Sequence, residues 1–189
     1  MGSEIAEDSW AREVIKFWFD TLGPRDWFQP PAEVDAAIGS QFSHLPDQIF
    51  GQPDGVLVTS PHLALAAIVI LDQFPRNLYR GTDRAFAYDA RALELAKVVV
   101  ARGLDRDASL SIDQRVFLYL PFEHSESMAD QDRAVELISA LGNDVYTQYA
   151  IAHRDVIARF GRFPHRNKVV GRASTEQEAE FLLQPGSSF

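Results

Sequence analysis

Apolar residues along the chain recur mainly at three- and four-residue spacing, the period of a helix with one buried face. Val14, Phe17 and Trp18 follow Ser9 at that spacing and predict a first helix over 10–22, capped by Ser9 and ended by Gly23-Pro24. Val34, Ile38 and Phe42 form the inward stripe of a second over 31–42, with Pro31 tolerated in its first turn. Residues 44–58, rich in Gly, Pro and Asp, read as a loop. Ser60 followed by Pro61 then reads as an N-cap with proline at the first helical position. The helix it starts, 62–74, is apolar on every side and belongs at the centre of the fold, because such a helix must be enclosed by neighbours.

The second half repeats the pattern. Gly81-Thr82 introduces a helix over 83–102 that Gly103 stops. Ser111 and Gln114 predict a reciprocal cap for a helix reaching Leu120 or Phe122. The run 116–120 has strand propensity, but the cap and Pro121 favour helix. Helices over 125–141 and 143–160 follow, separated by Gly142, and Ser174 with Gln177 predicts a capping box for a last short helix to Leu183, ended by Pro185-Gly186. Residues 161–172 lack periodicity and read as a long ordered loop. Short connections between successive helices predict an all-α, single-domain stack of antiparallel helix pairs over 1–189, with 1–8 disordered or partly vector-derived. A faint internal echo, Phe74-Pro75-Arg76-Asn77 with Gly81 against Phe163-Pro164-His165-Arg166-Asn167 with Gly171, suggests a duplicated hairpin.

Composition narrows the function classes. The net charge of −9 opposes general affinity for nucleic acid or an anionic membrane. With no cysteine there is no disulfide, thiolate–metal site or thiol nucleophile, a pattern that fits a cytoplasmic setting. The chain opens without the basic and apolar regions of a secretory signal, and its longest apolar run, 63–71, is less than half of the roughly 20 residues a spanning helix needs. Phosphate-binding glycine loops, GxGxxG, HExxH, GxSxG and Glu-x-x-His pairs are missing, so no cofactor is implied.

Four polar constellations remain. Asp72 sits at the end of the apolar helix, where an ionised carboxylate is costly unless paired, and Arg76 stands four residues on beside Asn77. The pair either pins the turn at Pro75 or presents Asp72 as a base or ligand. Glu123-His124-Ser125-Glu126 sets two carboxylates beside an imidazole, suited to holding a proton or a divalent metal, although Glu126 also fits a helix start. His153 shares an inward helical face with Tyr149, Val156 and Phe160, while Arg154 and Asp155 fall on other faces. Arg159, Arg162, His165, Arg166, Lys168 and Arg172 form a basic island interleaved with Phe160 and Phe163, with Asn167 inside it. Such a segment suits phosphate or carboxylate recognition unless its arginines pair internally with the acidic residues.

The strings LDQFPRNLYRGT, FLYLPFEHSE, HRDVIARFGRFPHRN and the terminal PGSSF resemble the bacterial domain-of-unknown-function family numbered 924, over about 14–189. The resemblance implies a tetratricopeptide-like helical superhelix, although the 34-residue repeat of that superfamily cannot be read in the chain. It implies no activity and no catalytic residue.

Three functions follow as alternatives. The first is a binding module whose groove, lined by Arg76, Asn77, Arg159, Arg162, His165, Arg166 and Asn167, takes an anionic small molecule or an acidic peptide. The second is a metal-assisted hydrolase built on Asp72, Glu123, His124 and His153. The third is a structural or partner-assembling protein that uses exposed Trp27 and Phe28.

Overall fold

The structure is a computed structural model that describes residues 4–187. Among these residues it is all-α, with no strand. The elements are α1 (Glu4–Ile15), α2 (Pro24–Phe28), α3 (Ala32–Phe42), α4 (Leu45–Phe50), α5 (Asp54–Leu57), α6 (Pro61–Ile68) and α7 (Phe74–Leu78). They continue as α8 (Asp89–Arg102), α9 (Ile112–Glu123), α10 (Met128–Ser139), α11 (Asp144–Phe160) and α12 (Glu176–Leu182). The chain forms two compact units: one runs through Arg80 and resumes over Arg84–Pro121, and the other holds Gly81–Asp83 and the chain from Phe122 onward.

Several ends differ from expectation for local reasons. The first helix begins at Glu4, so Ser9 is interior and not its cap, while the expectation for Met1–Ser3 falls outside the described residues. After Ile15 the helix widens to a π-type turn over Lys16–Thr21, and Leu22 N–H donates to the Phe17 carbonyl five residues back. Gly23-Pro24 ends this helix but also starts α2, because Pro24 suits a first turn and Asp26 accepts from Gly23 N–H at 3.1 Å. The expected loop 44–58 contains α4 and α5, each with a proline at its start. Residues 83–86 form only a 3₁₀ turn, so the helix expected over 83–102 begins at Asp89.

Other signals hold. Ser60 Oγ accepts from Leu63 N–H, and Ser111 and Gln114 cap each other reciprocally. Gly103 and Gly161 close α8 and α11 with φ near +70°, a conformation that suits glycine. Residues 116–120 are helical.

In the first unit α1 packs along α6, and the 63–74 stretch is entirely buried. Pro75 follows it without interrupting the helical run. Between α6 and α7 the backbone widens over Val69–Gln73, and Phe74 N–H reaches back five residues to the Val69 carbonyl. That wider turn relieves the clash a proline ring makes with the preceding turn. Around it lies an aromatic cluster. Trp18 has no exposed surface, with its ring 5.7 Å from Phe74 and 5.8 Å from Phe117. Trp27, expected at the surface, is buried: it packs on Phe117 and donates Nε1–H to the Trp18 carbonyl at 2.7 Å. Phe28 remains half exposed.

In the second unit α10 and α11 form a hairpin across residues 140–143. Asn143 caps α11 by accepting from Val145 and Tyr146 N–H. Ser125 does not start α10; its Oγ donates to Asp130 and accepts from Ser127 N–H, and the helix begins at Met128. The last capping box is Thr175 with Glu178, one residue beyond the expected Ser174 and Gln177. Ser174 is drawn off by Asn167, whose amide donates to its hydroxyl at 3.1 Å. The two echo segments differ in backbone: Phe74-Pro75 lies within a continuing helix, whereas Pro164–Arg166 is a 3₁₀ turn after α11 has ended.

Candidate functional site

The second unit gathers much of the anticipated chemistry around Phe163, whose side chain is completely buried. Gly161 turns the chain out of α11, and the 3₁₀ turn at Pro164 folds it back. His165 lies 5.6 Å from the Phe163 ring between centroids, and the Arg166 guanidinium sits over the ring at 4.5 Å. From α11, His153 meets the same ring edge-on at 5.8 Å, and His124 stands 6.3 Å from His153. Glu123 approaches His153 Nδ1 at 3.0 Å, and the Tyr149 carbonyl lies 2.8 Å from the same nitrogen. Both neighbours accept, so Nδ1 carries the proton.

His153 is inward as expected, but Tyr149 is exposed and contributes only its carbonyl. Arg154 and Asp155, off that face, pair with each other. Gln131, which the sequence did not single out, donates to the carbonyls of Glu123 and Ser125 at 2.6 and 2.7 Å and pins the end of α9.

Burial pushes the His153 imidazole down to about 3, helped by the positive character of His124, His165 and Arg166 and opposed by the Tyr149 carbonyl. A group so weakly basic is a poor general base near neutral pH. It does make stability depend on pH. In an unfolded chain the imidazole titrates near 6.5. Between about 6.5 and 3 the unfolded state therefore binds a proton that the folded state refuses, so stability is complete above that window and is lost as pH falls through it. Glu126 and Glu178, both held below the usual carboxylate range, add their own losses only below about 4.5. Urea unfolding at pH 6.5 and 5.0 should show a loss of about 2 kcal/mol in the wild type that His153→Gln largely removes. Equal losses in the two proteins would mean that His153 does not carry the effect.

Part of the basic island is engaged within the fold. Arg172 holds Glu126 with two bonds of 2.7 and 2.9 Å, and Glu126 also accepts from Phe163 N–H at 2.8 Å. Arg162 grips buried Glu178 at 2.6 and 2.8 Å, and with the Thr175 N–H bond this holds the Glu178 carboxyl down at about 2. Arg166 and Asn167 are buried. Arg159 lies over Phe160 and Phe181. Lys168 is exposed. Arg162 and Arg172 thus fasten the C-terminal segment through ion pairs with Glu178 and Glu126.

The first unit holds the other anticipated residues. Asp72 is buried and accepts from Gln73 Nε2, while Arg76 donates to the Asp72 backbone carbonyl and stands 3.6 Å from its carboxylate. The bidentate partner of Arg76 is Asp89, at 2.9 and 3.0 Å, and not Asp72. Burial works against the Arg76 charge, but Asp72 and Asp89 outweigh it and raise its pKa. Asn77 donates to Asp35 at 2.8 Å, and Asp35 also receives Arg80. Among the described residues, no group of three His, Asp or Glu side chains is arranged to hold a metal ion.

A concavity lies elsewhere in this unit. A cleft of about 250 Å³ opens between α1 and the start of α6, lined by Ala11, Arg12, Ile15, Lys16, Asp20, Ser60, His62 and Leu63. Arg12 and Lys16 are exposed and make no ion pair among the described residues. The sequence held part of the signal: Arg12 and Lys16, four apart, share one helical face. Their juxtaposition with His62 is tertiary. A second cleft of about 410 Å³ on the other side of Lys16 is lined by Glu13, Phe17, Thr21, Gln41 and Phe42.

These features define an all-α protein whose interior charges are largely paired and whose Arg12 and Lys16 face a cleft. The chain belongs to the family described as bacterial proteins of unknown function, DUF924, whose model matches residues 14–186. It is similar to a solved protein of unknown function from Agrobacterium tumefaciens, at 38% identity and a TM-score of 0.82, over 91% of this chain and 96% of that one. No curated protein matches the chain.

Proposed function

We propose that the protein is a binding module for a small anion, seated in the cleft between α1 and α6. The observation that carries this reading is the pair Arg12 and Lys16, lining one wall of an open cavity with His62 and Ser60 on the facing wall and, among the described residues, Asp20 as the one acidic lining residue. The sequence-based reading put the same chemistry on the C-terminal arginines. Their ion pairs with Glu126 and Glu178 speak for the α1 cleft instead. A tetratricopeptide-like ancestry, for which the α10–α11 hairpin speaks, and a cytoplasmic setting, for which the absence of cysteine speaks, belong to the same proposal.

Calorimetric titration with inorganic phosphate should show saturable binding that weakens with added sodium chloride, because exposed charges are screened. Arg12→Gln with Lys16→Gln should abolish it while leaving the thermal transition in place. Loss of binding through His165→Gln or Lys168→Gln, with the Arg12 and Lys16 variants unaffected, would move the seat to the second unit and overturn this reading. No binding of phosphate or of any small carboxylate by the wild type would overturn it equally.

A further inference from the structure

The α1 cleft is two-faced. On α1 and the first residue of the π-type turn that continues it, Arg12 and Lys16 form one row four residues apart, and Ala11 and Ile15 form the adjacent row. On the opposite wall α6 repeats the division: Ser60 and His62 are polar and Leu63 is apolar. Ala11 and Leu63 are buried and Ile15 is partly so, and together they give the cleft an apolar lining beside its cations.

The end of α6 adds little to the charge. Ser60 Oγ already takes the Leu63 N–H, and Pro61 has none to offer. The cationic character comes from the side chains of Arg12 and Lys16. Size is the second constraint. The cavity measures about 250 Å³, whereas one water takes about 30 Å³ in the liquid. A bare tetrahedral oxyanion of five heavy atoms would leave most of that space to water lying against apolar walls. Burying such walls is favourable in proportion to the area removed from water.

We infer that the ligand of this cleft is an amphiphilic anion: one phosphate or carboxylate group joined to a compact apolar body. The anionic group sits between Arg12, Lys16 and His62, and the apolar body covers Ile15, Ala11 and Leu63. Asp20, which also lines the cleft four residues beyond Lys16, disfavours a second anionic group on the ligand. This inference rests on the anion-binding reading above and adds the second half of the ligand.

Two matched pairs of probes test it: phenyl phosphate against inorganic phosphate, and benzoate against acetate, each titrated calorimetrically into the full chain. The ring should tighten binding about tenfold or more within at least one pair, and the pair that shows it identifies the headgroup. The heat capacity change should be negative for the ring-bearing probe and near zero for its partner, the mark of buried apolar surface. Ile15→Gln should shrink the ratio while leaving inorganic phosphate unaffected, and Ile15→Val, which keeps the helix face apolar, should preserve it. Equal affinities within both pairs, with inorganic phosphate still bound, would overturn the inference and leave the anion site standing. Absence of binding by all four probes would remove the site itself.

Discussion

Trp18→Ala is expected to lower the unfolding free energy by about 3–5 kcal/mol, the usual range for a buried aromatic cut to a methyl group. Trp18 has no exposed surface and touches Phe74 at the start of α7 and Phe117 in α9, so its loss empties the place where those helices meet. Relaxation is limited, because the Trp18 carbonyl is also held by the Trp27 indole. Domains are stable by only about 5–15 kcal/mol, so the variant should lose a large share of its margin. With roughly 2–4 °C per kcal/mol for a chain of this size, the thermal midpoint should fall by about 10 °C. Urea unfolding followed by tryptophan fluorescence and circular dichroism would measure it. A cost near 1 kcal/mol would show that the cluster repacks freely and is not the organising centre of the first unit. Trp18→Phe, which keeps a ring against both neighbours, should recover much of the loss.

Phe163→Ala should cost a similar amount, about 3–5 kcal/mol, in the second unit. Here the consequence reaches beyond the cavity. Phe163 is the surface on which His153, His165 and Arg166 pack. Its backbone N–H binds Glu126 and its carbonyl accepts from Arg172. Removing the ring takes the packing surface from a buried guanidinium, and a buried charge is costly where its surroundings are not complete. Hydrogen exchange should show faster exchange for amides in 144–183, because α11 and α12 pack against this segment. Phe163→Leu, which keeps apolar volume, should cost much less. If the alanine and leucine variants are equally stable, the ring has no specific role in holding the imidazoles and Arg166.

Local rules made much of the fold legible before any coordinates. The Ser60 cap, the reciprocal Ser111–Gln114 cap, the Gly103 stop and the inward stripe of Val34, Ile38 and Phe42 are settled by residues within one or two turns of one another. Where two local solutions were nearly equal, a distant partner chose between them. Ser174 and Thr175 both suit a cap, and Asn167 takes the first. Asp72 and Asp89 both suit Arg76, and the fork geometry goes to Asp89, thirteen residues away.

Chemistry was less legible than helices. The sequence shows a basic island but not whether its arginines face water, because that depends on where Glu126 and Glu178 are brought, at separations of 46 and 16 residues. Conversely, Arg12 and Lys16 drew no notice as two cations on an ordinary amphipathic helix. They stand at a cleft only because α6 lies alongside α1.

By itself, then, the amino-acid order determined the helical class, several helix ends and the buried stripe of α3, since these follow from hydrogen bonds and apolar periodicity over a few residues. Tertiary structure alone decided which charges are consumed in pairs and which stand exposed at a cleft. Ion pairing is a competition among partners far apart in the chain, and only the folded arrangement sets the distances on which it turns.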